Sequence, residues 1–181
     1  PFGPPPSAAF RPADFAWSTQ PGSARIEGQL TYAPGALIVE GSVGYLDNEF
    51  KRIAIVPGTT QTVGPGNRLP FTPELQGNIG IGYDFILGSS TLTPRLNVSY
   101  TDEQFFDAAN SVEVAQLDAV TVLNASLTWE MDAWKIRGGA NNITDEEYRV
   151  AGNSSFSTSA GYAEVIYSRP MNWFLSAEYQ F

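Results

Sequence analysis

Acidic side chains gather in three short stretches: LDNE at 46–49, TDEQFFD at 101–107 and ITDEE at 143–147. Carboxylates at such density could hold a divalent cation. Calcium, however, needs about six to eight oxygens converging in space, and none of the three has the loop spacing that achieves this. The adjacent Glu146 and Glu147 could divide acid and base roles, but neighbours on an extended chain point to opposite faces. No nucleophile–base pair accompanies them. The chain has no His and no Cys, which removes the usual general base, the commonest metal ligand and all thiol chemistry. The Gly-containing runs GIG (80–82) and RGGAN (137–141) lack the strand-to-helix setting of a phosphate loop and read as strand glycines. NNIT at 141 and NSS at 153 are glycosylation sequons with no support beyond themselves. The residues therefore predict no catalytic site, no metal and no cofactor. The acidic stretches read as solvated loops.

Bulk composition points to strands. Of 181 residues 13 % are aromatic and only 16 % charged, with 17 glycines, against roughly 25 % charged in ordinary soluble domains. The net charge of −9 disfavours a nucleic-acid partner, which calls for a basic footprint. No apolar run reaches the roughly 18 residues of a membrane helix, and no signal peptide is visible. The chain opens on PFGPPPSAAF without a Met, as expected of a processed product or a fragment.

Residues 1–22 show no period and read as loop, with AFRPADFAW the one stretch there that could hide a strand. From 23 onward a period of two takes over. Ala24, Ile26, Gly28, Leu30 and Tyr32 oppose Arg25, Glu27, Gln29 and Thr31. Leu37, Val39, Gly41, Val43 and Tyr45 oppose Glu40, Ser42 and Gly44. Similar alternation fills 75–85, 92–100, 117–130, 134–141 and the closing run to Phe181. Phe174 alone breaks the last of these. Short turns (APG, LGSS, MDA) alternate with long polar loops near 51–70, 101–116 and 150–162. The expected fold is all-β, an antiparallel meander of about seven to eight strands, with no helix of useful length.

Alternation by itself fits either a soluble sandwich or a membrane barrel. Two features favour the barrel. The last ten residues, NWFLSAEYQF, reach about 33 Å when extended, or about 25 Å along the membrane normal when tilted about 40°, the height of an outer-membrane apolar band. The aromatics also fall into two groups. Tyr32, Tyr83, Phe85, Trp129, Trp134, Tyr179 and Phe181 belong to the short-turn end, and Tyr45, Tyr100 and Trp173 to the long-loop end. Interfacial Trp and Tyr form such belts. Arg25, Arg95, Lys135 and Arg137 then face inward. They either line a path for anionic ligands or pair with Glu27, Glu40 and Glu178, and the sequence leaves both readings open.

LNASLTWEMDAWKIRGGANNITDEEYRVAG followed by YSRPMNWFLSAEYQF resembles the C-terminal end of TonB-dependent outer-membrane receptors. The family pattern falls on Asn142, Ile143, Asp145 and Tyr148, then Pro170, then Phe181, and LPFTPELQGNIGIGYDF resembles a strand of that family following an external loop. The resemblance implies a 22-stranded barrel occluded by an N-terminal plug, taking up scarce nutrients, most often ferric siderophores, across the outer membrane of a Gram-negative bacterium. The implied partners are outer-membrane lipid, the TonB complex and plug in the full-length protein, and the barrel-assembly machinery. Tyr179 and Phe181 fall where the family places its assembly signal. Residues 23–181 would be the C-terminal portion of the barrel. Two other readings stand beside it: a complete small outer-membrane barrel with a structural or adhesive role, and a secreted soluble β-domain. A complete barrel has an even strand number, and a count of about seven disfavours it.

Overall fold

A computed structural model describes residues 9–20, 23–53, 63–112, 116–154 and 161–181. Among these residues thirteen strands follow one another. They are β1 (Ala9–Gln20), β2 (Ser23–Ala33), β3 (Leu37–Asn48), β4 (Leu75–Tyr83), β5 (Phe85–Leu87), β6 (Ser90–Thr101), β7 (Gln104–Phe105), β8 (Gln116–Leu117), β9 (Val120–Met131), β10 (Trp134–Asn141), β11 (Arg149–Ser154), β12 (Ala163–Tyr167) and β13 (Asn172–Tyr179). One large antiparallel sheet runs β1-β2-β3-β4-β6-β9-β10-β13, with β5 beside β6. Two ribbons, β7-β8 and β11-β12, lie off it.

The meander follows from the turns. Gly35 and Gly88 close the β2–β3 and β5–β6 hairpins at φ of 67° and 66°, a region a side chain resists. Asp132 takes φ 50° in the two-residue β9–β10 turn, which a short acidic side chain tolerates. The strands joined by the long connections 49–74, 102–119 and 142–171 leave and re-enter the sheet at the opposite end.

Four expectations are corrected. Residues 9–20 are a strand, not loop: β1 pairs with β2 from Ala9 opposite Ala33 to Gln20 opposite Ser23. The remainder of that segment, 1–8 and 21–22, lies outside the described residues. The strand read across 75–85 is two, broken at Asp84. That residue's amide donates to the Ala36 carbonyl (2.8 Å) and its carboxylate accepts from the Thr93 hydroxyl (2.7 Å). The strand read from 117 begins at Val120, Leu117 belonging to the β7-β8 ribbon. The stretch approaching the closing strand is a hairpin of its own, β11-β12.

β1 also changes the count. Eight strands now form the path from β1 to β13, an even number, so parity no longer disfavours a small barrel. The path is nevertheless open. β1 and β13 are its two ends and are not paired with each other.

Register aligns the apolar face across the sheet. One row reads Tyr32, Val39, Ile81, Leu96, Ala125, Ala140 and Trp173 on seven successive strands. Nothing covers it. Ile26, Leu30, Ile79, Ile81, Leu96, Leu127 and Leu175 are all exposed. A soluble sandwich would bury these against a second sheet, and the described residues form a single layer. The buried hydrophobic cluster lies elsewhere, at the long-loop end: Phe106, Leu117 and Val120, with Val122 and Tyr148 packed against it.

Candidate functional site

Two surfaces and one rim carry whatever this sheet does. On the apolar surface, Tyr32, Tyr83, Phe85, Trp129, Trp134, Tyr179 and Phe181 gather at the short-turn edge. Tyr83 packs tilted against Phe85 (4.7 Å between centroids), Trp134 tilted against Tyr179 (4.9 Å), and Tyr179 meets Phe181 edge to face (5.1 Å). Tyr45, opposite Leu75, Tyr100, opposite Gly77, and Trp173 stand at the long-loop edge. Trp173 is 79 % exposed.

The register also yields a tilt. The perpendicular row starting at Tyr32, on the short-turn edge, crosses six strand-to-strand steps and arrives at Trp173, six residues before the short-turn aromatic Tyr179. With about 4.8 Å per step and about 3.4 Å per residue, the strands lean about 35° from the normal to that edge. Membrane barrels lean by about 35–45°.

On the polar surface the four candidate cations separate. Arg25 hydrogen-bonds Glu27 on its own strand, and Arg95 of β6 reaches across β4 to Glu40 of β3. Glu27 and Glu40 are two of the three carboxylates expected from the sequence to share this face. Lys135 instead takes Glu130, with Nζ 2.7 Å from Oε1, while Glu178 lies opposite it in register. Arg137 lies over the Phe174 ring, 5.4 Å from its centroid. That contact explains the break in the β13 pattern. Phe174 turns to the polar side and covers Gly139, where a Cβ would come within 2.9 Å of the ring and 2.4 Å of the Ala125 carbonyl. Arg95, Asn97, Asn124, Arg137, Asn141 and Phe174 line a hollow of about 240 Å³ there. A larger one, about 500 Å³, lies over Glu27, Gln29, Ser42, Gln76, Asn78 and Ser99.

The Asn-Ile-x-Asp pattern is a clasp. Asn142, 5 % exposed and at φ 52°, donates from Nδ2 to the carbonyls of Glu146 (2.9 Å) and Arg169 (3.3 Å). Its Oδ1 accepts from the Glu146 amide (3.0 Å), and its own amide donates to Asn124 Oδ1 (2.9 Å). Asp145 accepts from the Met171 amide at 2.7 Å. The start of β13 is thus fixed to β9 and to the end of β10. Asp145 caps the Met171 amide, and Glu146 offers backbone groups to Asn142.

The sequence did not disclose the rim. Asn48, buried, accepts the Leu69 amide (3.0 Å). Arg68 bridges Glu74 (3.0 Å) and Glu103 (3.4 Å). Asn residues at strand ends and in the loops beyond them were the available signal, since Asn tolerates left-handed backbone and carries both a donor and an acceptor. No group of three or more potential metal ligands converges among the described residues.

Comparison with solved structures places the fold. BauA, the ferric preacinetobactin receptor from Acinetobacter baumannii, is 21 % identical with a TM-score of 0.68 over 88 % of this chain and 22 % of its own. PiuA, a siderophore receptor from the same organism, gives 17 % and 0.69 over 87 % of this chain and 21 % of its own. FyuA, the ferric yersiniabactin uptake receptor from Yersinia pestis, gives 16 % and 0.58 over 96 % and 34 %. This chain therefore spans about a fifth to a third of their length, and at these identities the likeness is one of fold. The family model described as TonB dependent receptor-like, beta-barrel matches residues 13–143. The chain belongs to the TonB-dependent receptor β-barrel family, a family of outer-membrane transporters rather than enzymes.

Proposed function

We propose that this chain is the C-terminal barrel section of a receptor that takes up ferric siderophores, or nutrients of similar scarcity, across the outer membrane with energy from TonB. The observation that carries it is the family match over 13–143, on a sheet whose apolar face is exposed from Tyr32 to Trp173. BauA, PiuA and FyuA, receptors for ferric preacinetobactin, a siderophore and ferric yersiniabactin respectively, support the ligand class. The aromatics at 32, 45, 83, 100, 129, 134 and 173 serve as membrane-interface anchors. Arg25, Arg95, Lys135 and Arg137 face the lumen. Three of them are engaged by carboxylates, which supports a lumen network over a bare cationic path. Tyr179 and Phe181, edge to face and exposed, are the signal for the barrel-assembly machinery. The plug and the TonB complex are partners of the whole receptor.

The test is uptake. Cells carrying the receptor, starved of iron, are given radio-iron complexed to a panel of siderophores. Accumulation lost both on deleting the receptor and on deleting TonB supports the reading. Unchanged accumulation across catecholate, hydroxamate and mixed-ligand complexes counts against it. The section reading has its own test. Residues 1–181 refolded alone into liposomes should give no large stable conductance, because an open sheet edge cannot persist in hydrocarbon.

A further inference from the structure

The long loops at 64–74 and 102–112 come from different hairpins, yet they bond as strands would. The Arg68 amide donates to Asn110 Oδ1 (2.6 Å), and Asn110 Nδ2 donates back to the Arg68 carbonyl (3.0 Å). Asn110 can reach both because its backbone is left-handed, at φ 57°. Asn67 Nδ2 donates to the Ala108 carbonyl (3.0 Å), and the Phe71 amide donates to the Phe105 carbonyl (2.8 Å). The Arg68 guanidinium holds Glu74 of its own loop and Glu103 of the other, 5.9 Å from the centroid of the Phe105 ring. Phe71, at the rare φ of 55° for an aromatic, packs its ring 5.5 Å from Phe106, a member of the buried cluster. Strained backbone of this kind persists only where surrounding contacts over-determine it.

We propose that these two loops are one mechanical unit, a fixed segment of the rim in which neither loop moves without the other. Arg68 and Asn110 are the positioning residues that join them. The unit presents Phe71, 59 % exposed, in a conformation it would not hold on a lone loop. A ligand approaching this end meets a wall assembled in advance, and neither loop has to be ordered on binding. The coupling stands on contacts within this chain. Only its ligand-facing meaning rests on the receptor reading above.

Hydrogen exchange on the intact receptor in lipid nanodiscs tests it. Asn110→Ala should speed exchange about tenfold or more in 102–112 and, equally, at the Arg68 and Phe71 amides of the other loop, with 120–131 and 134–141 unchanged. Acceleration confined to 102–112, or none, overturns the proposal. Should Asn110→Ala also unprotect the strands, Glu103→Gln decides, because it is isosteric and leaves the backbone bracket intact. It should raise exchange in both loops by a smaller, shared factor, and a rise in one loop alone overturns the coupling. Arg68→Lys keeps the charge but not the planar fork, so it too should loosen both loops, whereas a simple surface ion pair would be unmoved. Coupled loops in a receptor that takes up no siderophore would leave this inference standing and remove the other.

Discussion

Ile79 offers the sharpest test of which face meets lipid. It is the middle residue of β4, 47 % exposed, opposite Gly41 on one side and Val98 on the other. At about 3.4 Å per residue β4 is about 30 Å long, and a lean of about 35° leaves about 25 Å along the normal, the full height of an apolar band. Ile79 therefore sits close to the bilayer midplane. An Arg there costs about 2–4 kcal/mol, which is about 30- to 700-fold in the folded-to-unfolded ratio. Asn78, one residue away, faces the polar side and gives Nδ2 to Ser42 Oγ at 2.7 Å. Asn78→Arg forfeits at most that exposed bond, about 0.5–1.5 kcal/mol, and the new cation lies in a hollow that also includes Glu27. The expected result is that Ile79→Arg shifts urea unfolding of the receptor in lipid vesicles by several times the shift of Asn78→Arg. It should also abolish the heat-modifiable gel band when expressed in cells. Equal shifts, or a larger one for Asn78→Arg, would refute the assignment of faces. Asn124, the polar neighbour of Leu123, would be a poor control, because its side chain holds the Asn142 amide.

Asn142→Ala should destabilise the folded receptor by about 1–3 kcal/mol in urea titration, because it removes the three hydrogen bonds that the buried Asn142 side chain makes to the Glu146 amide and to the Glu146 and Arg169 carbonyls; Asn142→Gly, which relieves the φ strain but restores no bond, should recover only a small part. Gly139→Ala should lower the urea midpoint even in a Phe174→Ala background, since the new methyl still meets the Ala125 carbonyl; full rescue by Phe174→Ala would show that the ring alone is the obstacle. Glu40→Gln should change stability by less than about 1 kcal/mol, because both members of the Arg95 pair are well exposed, and a larger loss would make that pair structural. Phe181→Ser should reduce the amount of receptor reaching the outer membrane without reducing synthesis, and unchanged surface display would remove its role as a signal.

Most of the sheet was legible because each face answers to a different solvent, so the pleat is written directly into residue type. Ile79, Ile81 and Tyr83 alternate with Gly80 and Gly82 as plainly in sequence as in space. β1 was not legible, and the reason is local. Pro12 has no amide to donate, so a proline in such a run argues against a strand. The structure absorbs it in an irregularity between Arg11 and Asp14. β7, β8 and β12 are too short to display a period. The lumen pairs were partly legible, since Arg95 and Glu40 share a face. Glu130 went unnoticed as the partner of Lys135 because nothing in sequence ranks it above Glu178, which flanks that lysine from the other side. The Asn hubs were the least legible. Asn110 and Arg68 lie 42 residues apart, and neither carries a local pattern that announces the other.

The placement of the buried cluster at the long-loop end, where β9 meets the loops rather than along the apolar face, means this protein answers to two thermometers. Phe106, Leu117 and Val120 are held together by their exclusion from water and lose that support as water is cooled or loaded with denaturant. The strands are held by the misfit between their apolar face and anything but hydrocarbon, so their stability follows bilayer thickness and acyl composition. A cell that remodels its lipids would retune the wall and leave the rim untouched. A change in external osmolyte would do the reverse. Melting should therefore report two transitions, and no single unfolding free energy describes the molecule.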